Sequence, residues 1–592
     1  MTALLIYPTH QNCREAVKEY RAAEISAEVF PGRTTEDSPE MSRNCWNSDA
    51  DRAEAMGFPV VKTICFRCAH REKCMTIGYL GQLTDAKKAD VVFCTHKRAE
   101  CAGLDAVMQG RRYVSIHECP IGILRPALVI SDQDLRLIQR LVDSCVKDPT
   151  ILDWFANDLR YDDEGNPYHD DEKAIRRNRI WSYCLHLNDV IDSLIGALDD
   201  AEESQEWTPG ESMKSPQGVE SFLFGVTRRS QVTFQGRPWQ FALVAASGKL
   251  HSAAILIDER FEKGGGQGNS FKRKSVVGFR DNPPSSNAVT WFNDATLDRS
   301  RLEMVLNLPV ADQTPGARIE NQKKAVQVLR DITRGTSGRI FSNILRGVLS
   351  DRSQFERVGL ICHRSHLDAS TALGGRFDRR IVKSTYFGSG EDRSSNDWIE
   401  HCDLIVIAGT PRIPPCAIAT YLVQVGEVGA ACRQPEWGKV YWEGLTESGE
   451  AVRVESRGYQ EESWRRAHRD LVRTRLVQAI GRGRGILTTG CEVVVLSTEE
   501  CGLAISDAGL ESLTGNSTRI LAAMDQLTIQ NPNNRLLGKC IVRTRDVANE
   551  TGFNEVYVRA LLRGLERRGL VRKVGERGGW ALVNQEEAAH AS

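Results

Sequence analysis

One stretch of the chain has residue types that suit the binding of a phosphate group. Gln478 is followed by Gly481, Arg482 and Arg484 in the run Gln-Ala-Ile-Gly-Arg-Gly-Arg-Gly. The charge of arginine is permanent, and its planar guanidinium can bind phosphate at two points. The stretch is either the phosphate-contacting end of a nucleotide site or a solvated basic loop, and the other motifs must decide.

A second group of residues could hold a metal. Cys45, Cys65, Cys68 and Cys74 follow the spacing C-x19-C-x2-C-x5-C. Four thiolates at this spacing suit a tetrahedral Zn²⁺ ion or a four-iron cluster. Unliganded thiols are the remaining interpretation of the group. Three cysteines outside it are predicted to be core residues, namely Cys94, Cys101 and Cys119.

Apolar, strand-like runs near the start of the chain are each followed by polar residues that could contact a ligand. The runs are Ala3–Tyr7, 89–95 and 112–116, and the residues that follow them are Pro8, Thr9, His10, His96, His117 and Glu118. The strand-like run Ala3–Tyr7, the Pro-Thr turn and the helical pattern from Cys13 to Ala23 predict a βα unit of a doubly wound α/β sheet.

Two later segments continue this pattern. Residues 290–298 contain Asp294 and Thr296, and an apolar run at 402–408 ends in Gly409-Thr410-Pro411-Arg412. Such a run is typical of a buried parallel strand, whose end would present amides, a hydroxyl and a guanidinium.

Taken in order, these motifs resemble those of superfamily 2 helicases, and among them the XPD/DinG-like iron–sulfur helicases. The segment around Gly409–Arg412 is similar to that of helicases encoded with primases on mobile elements. The resemblance implies two RecA-like domains with ATP and Mg²⁺ between them. It also implies DNA contact by Pro8, Thr9 and His10, and a [4Fe–4S] cluster on the four cysteines, with Zn²⁺ as the alternative.

The same resemblance assigns roles around the nucleotide. Glu118 would polarise the attacking water, with Arg482 favoured over Arg484 as the arginine that senses the γ-phosphate. The other residues expected at the nucleotide are His117, Asp294, Thr296, Gly409, Thr410, Arg412, Gln478 and Gly481.

The sequence departs from that family at the phosphates. It contains no Gly-x-x-x-x-Gly-Lys-Ser/Thr loop, and Arg484 stands one residue earlier than the usual second arginine. His117 occupies the position of the Mg²⁺-binding aspartate, and imidazole is a poor ligand for Mg²⁺. We therefore expect the isolated chain to be inactive as an ATPase unless an upstream segment or a partner chain supplies the loop.

Alternatives remain open at the catalytic pair. His117 could simply cap a buried strand, and Asp258-Glu259 is a rival acidic pair by letters alone. We prefer Glu118 because Asp258 would leave the cysteines far from their expected neighbour. Ser247-Gly248-Lys249-Leu250 imitates a phosphate loop and is interpreted as a turn between strands.

The domain prediction follows from these motifs. Residues 1–125 would form part of the first RecA-like domain, with the cysteine cluster at 45–74, and 126–218 a helical insert and linker. Residues 219–310, β-rich up to 257, would complete that domain, and 311–510 would form the second, opened by the strand at 358–362.

Residues 535–585 are predicted to form a winged helix. Between Lys539 and Arg577 there are ten Lys/Arg and five Asp/Glu, an excess that suits phosphate contact. Arg559 and Arg563 are the expected DNA contacts on the recognition helix. Winged helices also dock proteins, and a protein-docking role is therefore the alternative interpretation of this module.

Composition limits the function classes. The 592 residues are 41% hydrophobic and 26% charged, with a net charge of −1, as in an ordinary globular protein. No apolar run approaches the roughly 18 residues that would span a bilayer. We expect a cytoplasmic protein with reduced thiols and no membrane partner.

The leading hypothesis is a DNA-binding, helicase-like protein that unwinds or translocates DNA only if a phosphate loop comes from an upstream chain or a primase/helicase partner. The first alternative is an ATPase-inactive DNA-binding or regulatory protein on a decayed helicase scaffold. A zinc-stabilised interaction protein is the second.

Overall fold

The computed structural model describes residues 2–33, 44–65, 68–108, 110–148, 150–157, 170–261, 270–294, 297–313, 324–372, 378–389, 392, 397–433, 435–483, 490–506, 515–530, 535–536, 539–567, 571–574 and 579–582. The chain divides into two compact units. Unit 1 comprises residues 1–316, 412–438 and 457–474, and unit 2 comprises 317–411, 439–456 and 475–592.

Unit 1 contains a five-stranded parallel sheet in the order β2-β3-β1-β4-β9. Its strands are β1 (Ala3–Tyr7), β2 (Ala27–Val29), β3 (Val91–Thr95), β4 (Tyr113–His117) and β9 (Val289–Asn293). Leu4, Val92 and Ile116 are fully buried in its centre, as expected for a parallel sheet with both faces covered.

In the described part of the chain up to residue 125, eight helices connect or flank these strands. They are α1 (His10–Ala22), α2 (Ser48–Met56), α3 (Val60–Thr63), α4 (Arg71–Ile77), α5 (Tyr79–Lys88), α6 (His96–Ala102), α7 (Leu104–Met108) and α8 (Pro120–Leu124). The four cysteines of the candidate cluster lie between β2 and β3, with Cys45 ahead of α2, Cys65 and Cys68 between α3 and α4, and Cys74 in α4.

The residues between β4 and β9 form a second part of unit 1. Its strands are β5 (Ala127–Ser131), β6 (Gln205–Trp207), β7 (His251–Phe261) and β8 (Ser270–Phe279), which form an antiparallel sheet in the order β5-β8-β7-β6. Its helices are α9 (Asp132–Lys147), α10 (Thr150–Asn157), α11 (Asp170–Asp200), α12 (Val219–Ser230) and α13 (Pro238–Ala246). One hydrophobic core joins these elements to the cysteine-bearing segment, since Cys45 and Cys74 belong to the same cluster of buried residues as Leu135, Leu187 and Trp239.

The β-rich prediction for residues 219–257 was wrong in its first two thirds, because α12 and α13 occupy 219–230 and 238–246. The apolar runs around Phe222 and Phe241 are buried helix faces, and a short buried run does not reveal its period. Of the range 219–310, β9 alone joins the parallel sheet among the described residues. Gly248 turns from a helix into β7 rather than between two strands.

Unit 1 is completed by helices from later segments. They are α14 (Arg299–Leu306), α18 (Pro415–Gln424), α19 (Val428–Ala431) and the start of α20 (Glu462–Ile480). Arg301 of α14 is fully buried and lies 3.1 Å from Asp470 and 3.7 Å from Glu427. This ion cluster fixes α14 to the later helices.

Unit 2 contains a second five-stranded parallel sheet in the order β10-β16-β13-β11-β12. Its strands and helices are β10 (Ala325–Val328), α15 (Gly338–Ser350), β11 (Val358–Cys362), α16 (Arg364–Ala372), β12 (Ile381–Tyr386), α17 (Trp398–His401), β13 (Leu404–Ala408) and β16 (Glu492–Leu496). The prediction that 358–362 opens this domain was wrong, since β10 precedes it and pairs with β16. A two-stranded antiparallel hairpin is formed by β14 (Trp437–Leu445) and β15 (Ala451–Tyr459).

The C-terminal part of unit 2 is a small mixed module. Its elements are α21 (Gly515–Gln530), β17 (Arg535–Leu536), β18 (Lys539–Cys540), β19 (Val542–Arg543), α22 (Thr544–Thr551), α23 (Glu555–Arg567), β20 (Val571–Val574) and β21 (Gly579–Leu582). The strands β19, β21 and β20 form an antiparallel sheet. None of the described helices is long and apolar enough to cross a membrane.

Candidate functional site

The carboxyl edge of the unit 1 parallel sheet gathers most of the polar residues that the sequence singled out there. Thr9 follows β1, His96 follows β3, Glu118 follows β4 and Asp294 follows β9. The register aligns Tyr7 with Thr95, and His117 with Asn293, so these strand ends lie side by side.

His117 is held by its neighbours at this edge. Its Nε2 lies 3.0 Å from Ser115 Oγ, which accepts a 2.7 Å hydrogen bond from the Asn293 amide. Its ring stacks on Tyr7, and its carbonyl oxygen lies 2.7 Å from His96 Nε2. Burial, with a smaller effect from His96, lowers the pKa of His117 to about 4. The ring is neutral at pH 7 and already engaged, which favours the strand-capping interpretation over a Mg²⁺ ligand.

A strained turn carries Glu118 out of β4. Glu118 and Cys119 have φ angles of 62° and 47°, in the left-handed region that non-glycine residues rarely occupy. The Glu118 N–H donates to the Asn293 carbonyl at 3.0 Å, and the Cys119 N–H donates to Asp294 Oδ2 at 2.9 Å. Asp294 therefore holds the turn that positions Glu118, while Thr296 lies outside the described residues.

The rival pair occupies a different kind of position. Asp258 and Glu259 lie within β7 of the antiparallel sheet, in register with Arg273 and Lys272 of β8. Glu118 instead follows a strand of the parallel sheet, where ligands of such sheets bind.

Pro8, Thr9 and His10 lie where α1 begins. The Thr9 side chain caps the helix by accepting a 3.2 Å hydrogen bond from the Asn12 N–H. All three residues line a large groove of unit 1.

The groove has a volume of about 3060 Å³. Its walls come from the start of α1, the region of α2 and α3, the helix α6, the first turns of α11, the loop at 212–218, the start of α12 and the helix α13. Pockets for small molecules are usually about 300–1,000 Å³. The size of the groove therefore suits a polymer better than a small ligand.

The groove is basic. Among the residues that the structure describes, eleven Lys/Arg line it against four Asp/Glu, and the eleven are Arg33, Lys62, Arg71, Lys97, Arg98, Arg176, Arg179, Lys214, Arg237, Lys249 and Arg280. Glu54 neutralises part of this charge, with Lys97 at 3.0 Å and Arg33 at 3.5 Å. Lys62, Arg179, Lys214 and Lys249 are exposed, and no carboxylate among the described residues pairs with them. These four cations are the part of the site that sequence reasoning missed, because no spacing in the chain links them.

The four candidate metal ligands share one neighbourhood. Burial raises the pKa of Cys65 to about 11, with further contributions from the charges of Cys45, Cys74 and Cys68. Within the described part of the chain, however, no group of three or more His, Cys, Asp or Glu has the geometry to hold a metal ion. The four thiols are thus close enough for their charges to interact, which happens over longer distances than ligand bonds.

Two N–H groups donate to thiols of the candidate cluster. The Asn47 amide donates to Cys68 Sγ at 3.4 Å, and the Leu80 N–H donates to Cys74 Sγ at 3.4 Å. Bonds of this kind support thiolate ligands in metal sites. Phe66 and Arg67, in the Cys65–Cys68 turn, lie outside the described residues.

The core assignments of the other three cysteines have different outcomes. Cys94 is buried, as predicted, whereas Cys101 and Cys119 are exposed, so their assignment to the core was wrong. Cys101 lines the groove, and its Sγ accepts a hydrogen bond from Arg237 Nη1 at 2.7 Å. Cys119 is exposed because the left-handed turn carries it out of the sheet.

The second set of expected nucleotide residues lies in unit 2. Gly409 follows β13 with a φ of 108°, and an added Cβ would lie 2.8 Å from His363 Nε2, so only glycine fits. Thr410 Oγ1 lies 2.7 Å from Ser497 Oγ at the end of β16. These contacts tie the ends of two neighbouring parallel strands together.

Gln478 and Arg482 lie at the end of α20 and in the short 3-10 turn after it. Arg482 Nε donates to the Gln478 carbonyl at 3.1 Å, and both side chains are half-buried. An added Cβ on Gly481 would meet nothing within 4 Å. Arg484 lies outside the described residues.

Arg412 is exposed and belongs to unit 1, whereas Thr410 belongs to unit 2. Burial, with a smaller effect from Arg412, lowers the pKa of His468 to about 4. The expected nucleotide residues are thus divided between the two units.

In the C-terminal module, the second helix buries the face that the sequence predicted. Val558, Leu562 and Leu565 are buried, and Leu561 is half-buried. Arg559 and Arg563 are exposed one helical turn apart.

No protein-family model matches the sequence, and no match was found among curated proteins. The function is therefore inferred from the residues themselves.

Proposed function

We propose that this chain is a DNA-binding, helicase-like protein whose unit 1 binds a single strand in the basic groove. The observation that carries the proposal is the set of exposed cations Lys62, Arg179, Lys214 and Lys249 around one polymer-sized groove. Unneutralised cations along a groove bind a phosphate backbone by releasing its counterions.

The placement of the helicase-like residues supports the same proposal. Pro8, Thr9 and His10, which the resemblance assigns to DNA contact, line the groove together with Arg71 of α4. Arg71 stands three residues before Cys74, so a [4Fe–4S] cluster or Zn²⁺ on the cysteines would stabilise one wall of the groove. The winged helix, through Arg559 and Arg563, would supply a second DNA contact.

The two parallel sheets would be RecA-like domains in this proposal. ATP-dependent unwinding or translocation then requires a phosphate loop from an upstream segment or a partner. Glu118 would orient the attacking water, and Arg482 would stabilise charge on the γ-phosphate.

One observation favours a second candidate function, an ATPase-inactive DNA-binding or regulatory protein. His117 is a neutral ring engaged with Ser115 and Tyr7, at the position where the resemblance expects a Mg²⁺-binding carboxylate. DNA-stimulated ATP turnover by the isolated chain should be at background under both proposals, and robust turnover would contradict both.

The groove is tested by charge reversal. Binding of labelled oligothymidylate by Lys62→Glu/Lys249→Glu should be at least tenfold weaker than that of wild type, with a salt slope lower by roughly 0.7 per lost contact. The matched control is Lys18→Glu/Lys147→Glu, two exposed lysines that do not line the groove. Equal binding by the groove variant and the control would exclude the groove as the DNA site.

A further inference from the structure

Three large apolar side chains are exposed on the walls of the basic groove. Val61 on α3, Ile175 on α11 and Met213 in the loop at 212–218 are 39%, 52% and 36% exposed. A single exposed apolar residue is ordinary on a protein surface. Three of them on the walls of one groove, among cations, indicate a ligand that has apolar surface as well as negative charge.

Each of these apolar side chains has one of the exposed cations beside it. The pairs are Val61 with Lys62, Met213 with Lys214, and Ile175 with Arg179. Two of the pairs are neighbours in the chain, and the members of the third are four residues apart on α11, where such residues share a helix face. The groove therefore repeats one combination, a cation next to an apolar surface, on three different elements.

Hydrogen bonds hold these three elements together. The Met213 N–H donates at 2.9 Å to the carbonyl of the last residue of α13, and Arg176 Nε of α11 donates to the Gln217 carbonyl at 3.2 Å. At the start of α12, Ser221 Oγ donates to the Lys62 carbonyl at 3.0 Å. The apolar side chains are thus presented by a preformed wall, which lowers the cost of ordering it around a ligand.

The known polyanions differ in the apolar surface that they expose. Duplex DNA keeps its base faces inside the stack and presents phosphates and base edges. A single strand exposes the faces of its bases beside its phosphates. Every nucleotide of a single strand therefore carries one phosphate and one apolar face, which matches the repeated combination on the groove walls.

We propose that the groove holds unpaired nucleic acid with its bases packed on Val61, Ile175 and Met213 and its phosphates on the neighbouring cations. This inference deepens the proposed function and rests on it. The proposed function needs only the phosphate contacts. The base contacts are what makes a single strand, rather than a duplex, the preferred ligand.

The type of side chain also predicts little preference among the bases. Phe58 and Tyr79 line the groove as well, but each is only 3% exposed. The surfaces offered to the bases are therefore aliphatic and thioether groups, which pack against any base face without reading its hydrogen-bonding edge.

The inference is tested on the full chain with three probes of equal length, namely labelled oligothymidylate, an abasic oligomer with the same phosphates, and duplex DNA. Wild type should bind oligothymidylate at least roughly tenfold more tightly than the abasic oligomer. Ile175→Ser/Met213→Ser should bind oligothymidylate at least roughly fivefold more weakly than wild type, because serine removes the apolar area. Its binding of the abasic oligomer and its salt slope should be unchanged, because the cations remain.

The matched control is Ile25→Ser/Met304→Ser, the same substitutions at positions of unit 1 that are 40% and 53% exposed and do not line the groove. This variant should bind all three probes as wild type does. Equal binding of oligothymidylate by Ile175→Ser/Met213→Ser and wild type would overturn the inference. Duplex bound as tightly as oligothymidylate would also overturn it, as would polyglutamate of equal charge that displaces oligothymidylate as well as an unlabelled copy does.

The abasic oligomer separates this inference from the proposed function. If wild type binds it as tightly as oligothymidylate, and Lys62→Glu/Lys249→Glu weakens both, the phosphate contacts stand and the base contacts alone are refuted. Absence of oligothymidylate binding by wild type refutes the proposed function, and this inference with it.

Discussion

The imidazole of His117 stacks on the phenol ring of Tyr7, with 4.2 Å between the ring centroids and 13° between the planes. The two residues end neighbouring strands of the parallel sheet, and the stack joins them at its carboxyl edge. The contact helps to bury the imidazole, and burial favours its neutral form by lowering the pKa of His117 to about 4.

This contact predicts a pH dependence. The pKa of His117 is lower in the folded protein than its ordinary value of 6.5, so the unfolded chain binds the proton first. The contribution of neutral His117 to the free energy of unfolding is fully present above about pH 6.5. It decreases as the pH drops towards 4, and the loss at pH 5 is at most about 2 kcal/mol.

Urea unfolding at pH 7 and pH 5 measures the effect. His117→Asn should lose less stability than wild type between the two pH values, because the asparagine does not titrate. His401→Asn, at an exposed position of α17, is the control and should keep the wild-type difference. An unchanged difference in His117→Asn would show that His117 does not contribute to acid sensitivity.

The turn after β4 predicts opposite effects of the same substitution at two exposed cysteines. Cys119 has a φ of 47°, and glycine adopts that conformation without strain, so Cys119→Gly should stabilise the protein by about 0.5–1 kcal/mol. Cys101 lies in α6, where glycine should instead destabilise by about 1 kcal/mol. Thermal unfolding of both variants gives the comparison, and destabilisation by Cys119→Gly would contradict the strained turn.

The buried guanidinium of Arg301 predicts a large loss of stability. It is fully buried, with Asp470 at 3.1 Å, Glu427 at 3.7 Å and Asp298 at 4.0 Å. Arg301→Ala removes the nearest cation from the part-buried carboxylates of Asp470 and Glu427, although Asp298 keeps its ion pair with Arg466, so the substitution should cost about 3–5 kcal/mol.

Two residues earlier, Arg299 provides the matched control for that experiment. It is exposed and pairs with Glu303 at 2.9 Å, so Arg299→Ala should cost under about 0.5 kcal/mol. Chemical denaturation measures both values. Similar small losses in the two variants would mean that the Arg301 cluster does not hold α14 in place.

The cysteine neighbourhood predicts a bound metal in protein purified without oxygen. Metal analysis and visible absorption should show about four iron atoms per chain, or one zinc ion under the alternative. Cys65→Ser should lose the metal and bind oligothymidylate more weakly, because Arg71 shares α4 with Cys74. Cys416→Ser, at an exposed position outside the cluster, should retain both properties. Metal-free wild-type protein would rule out the cluster.

Several features could be predicted because they depend on neighbours in the chain. The apolar run Leu404–Ala408 is a fully buried strand, and the helix with Val558, Leu562 and Leu565 buries the predicted face. The polar residues Thr9, His96, Glu118 and Asp294 follow strands of one parallel sheet because a strand direction fixes where its carboxyl end lies.

Other features failed or could not be predicted for equally local reasons. Phe222 and Phe241 lie on helices, although a β-rich segment was predicted there. The prediction failed because a short apolar run packs equally well in a buried helix or strand. The left-handed φ of Cys119, which exposes a thiol predicted to be buried, depends on the contact between its N–H and Asp294.

The sequence by itself determined the strand ends, the amphipathic faces and the set of residues able to do chemistry, since these follow from local pattern and side-chain type. Tertiary structure alone brought Lys62, Arg179, Lys214 and Lys249 to one groove, left Trp291 on an open edge and engaged His117 with Tyr7. These relationships join residues that are distant in the chain, and their energies depend on the packing between elements rather than on any local preference.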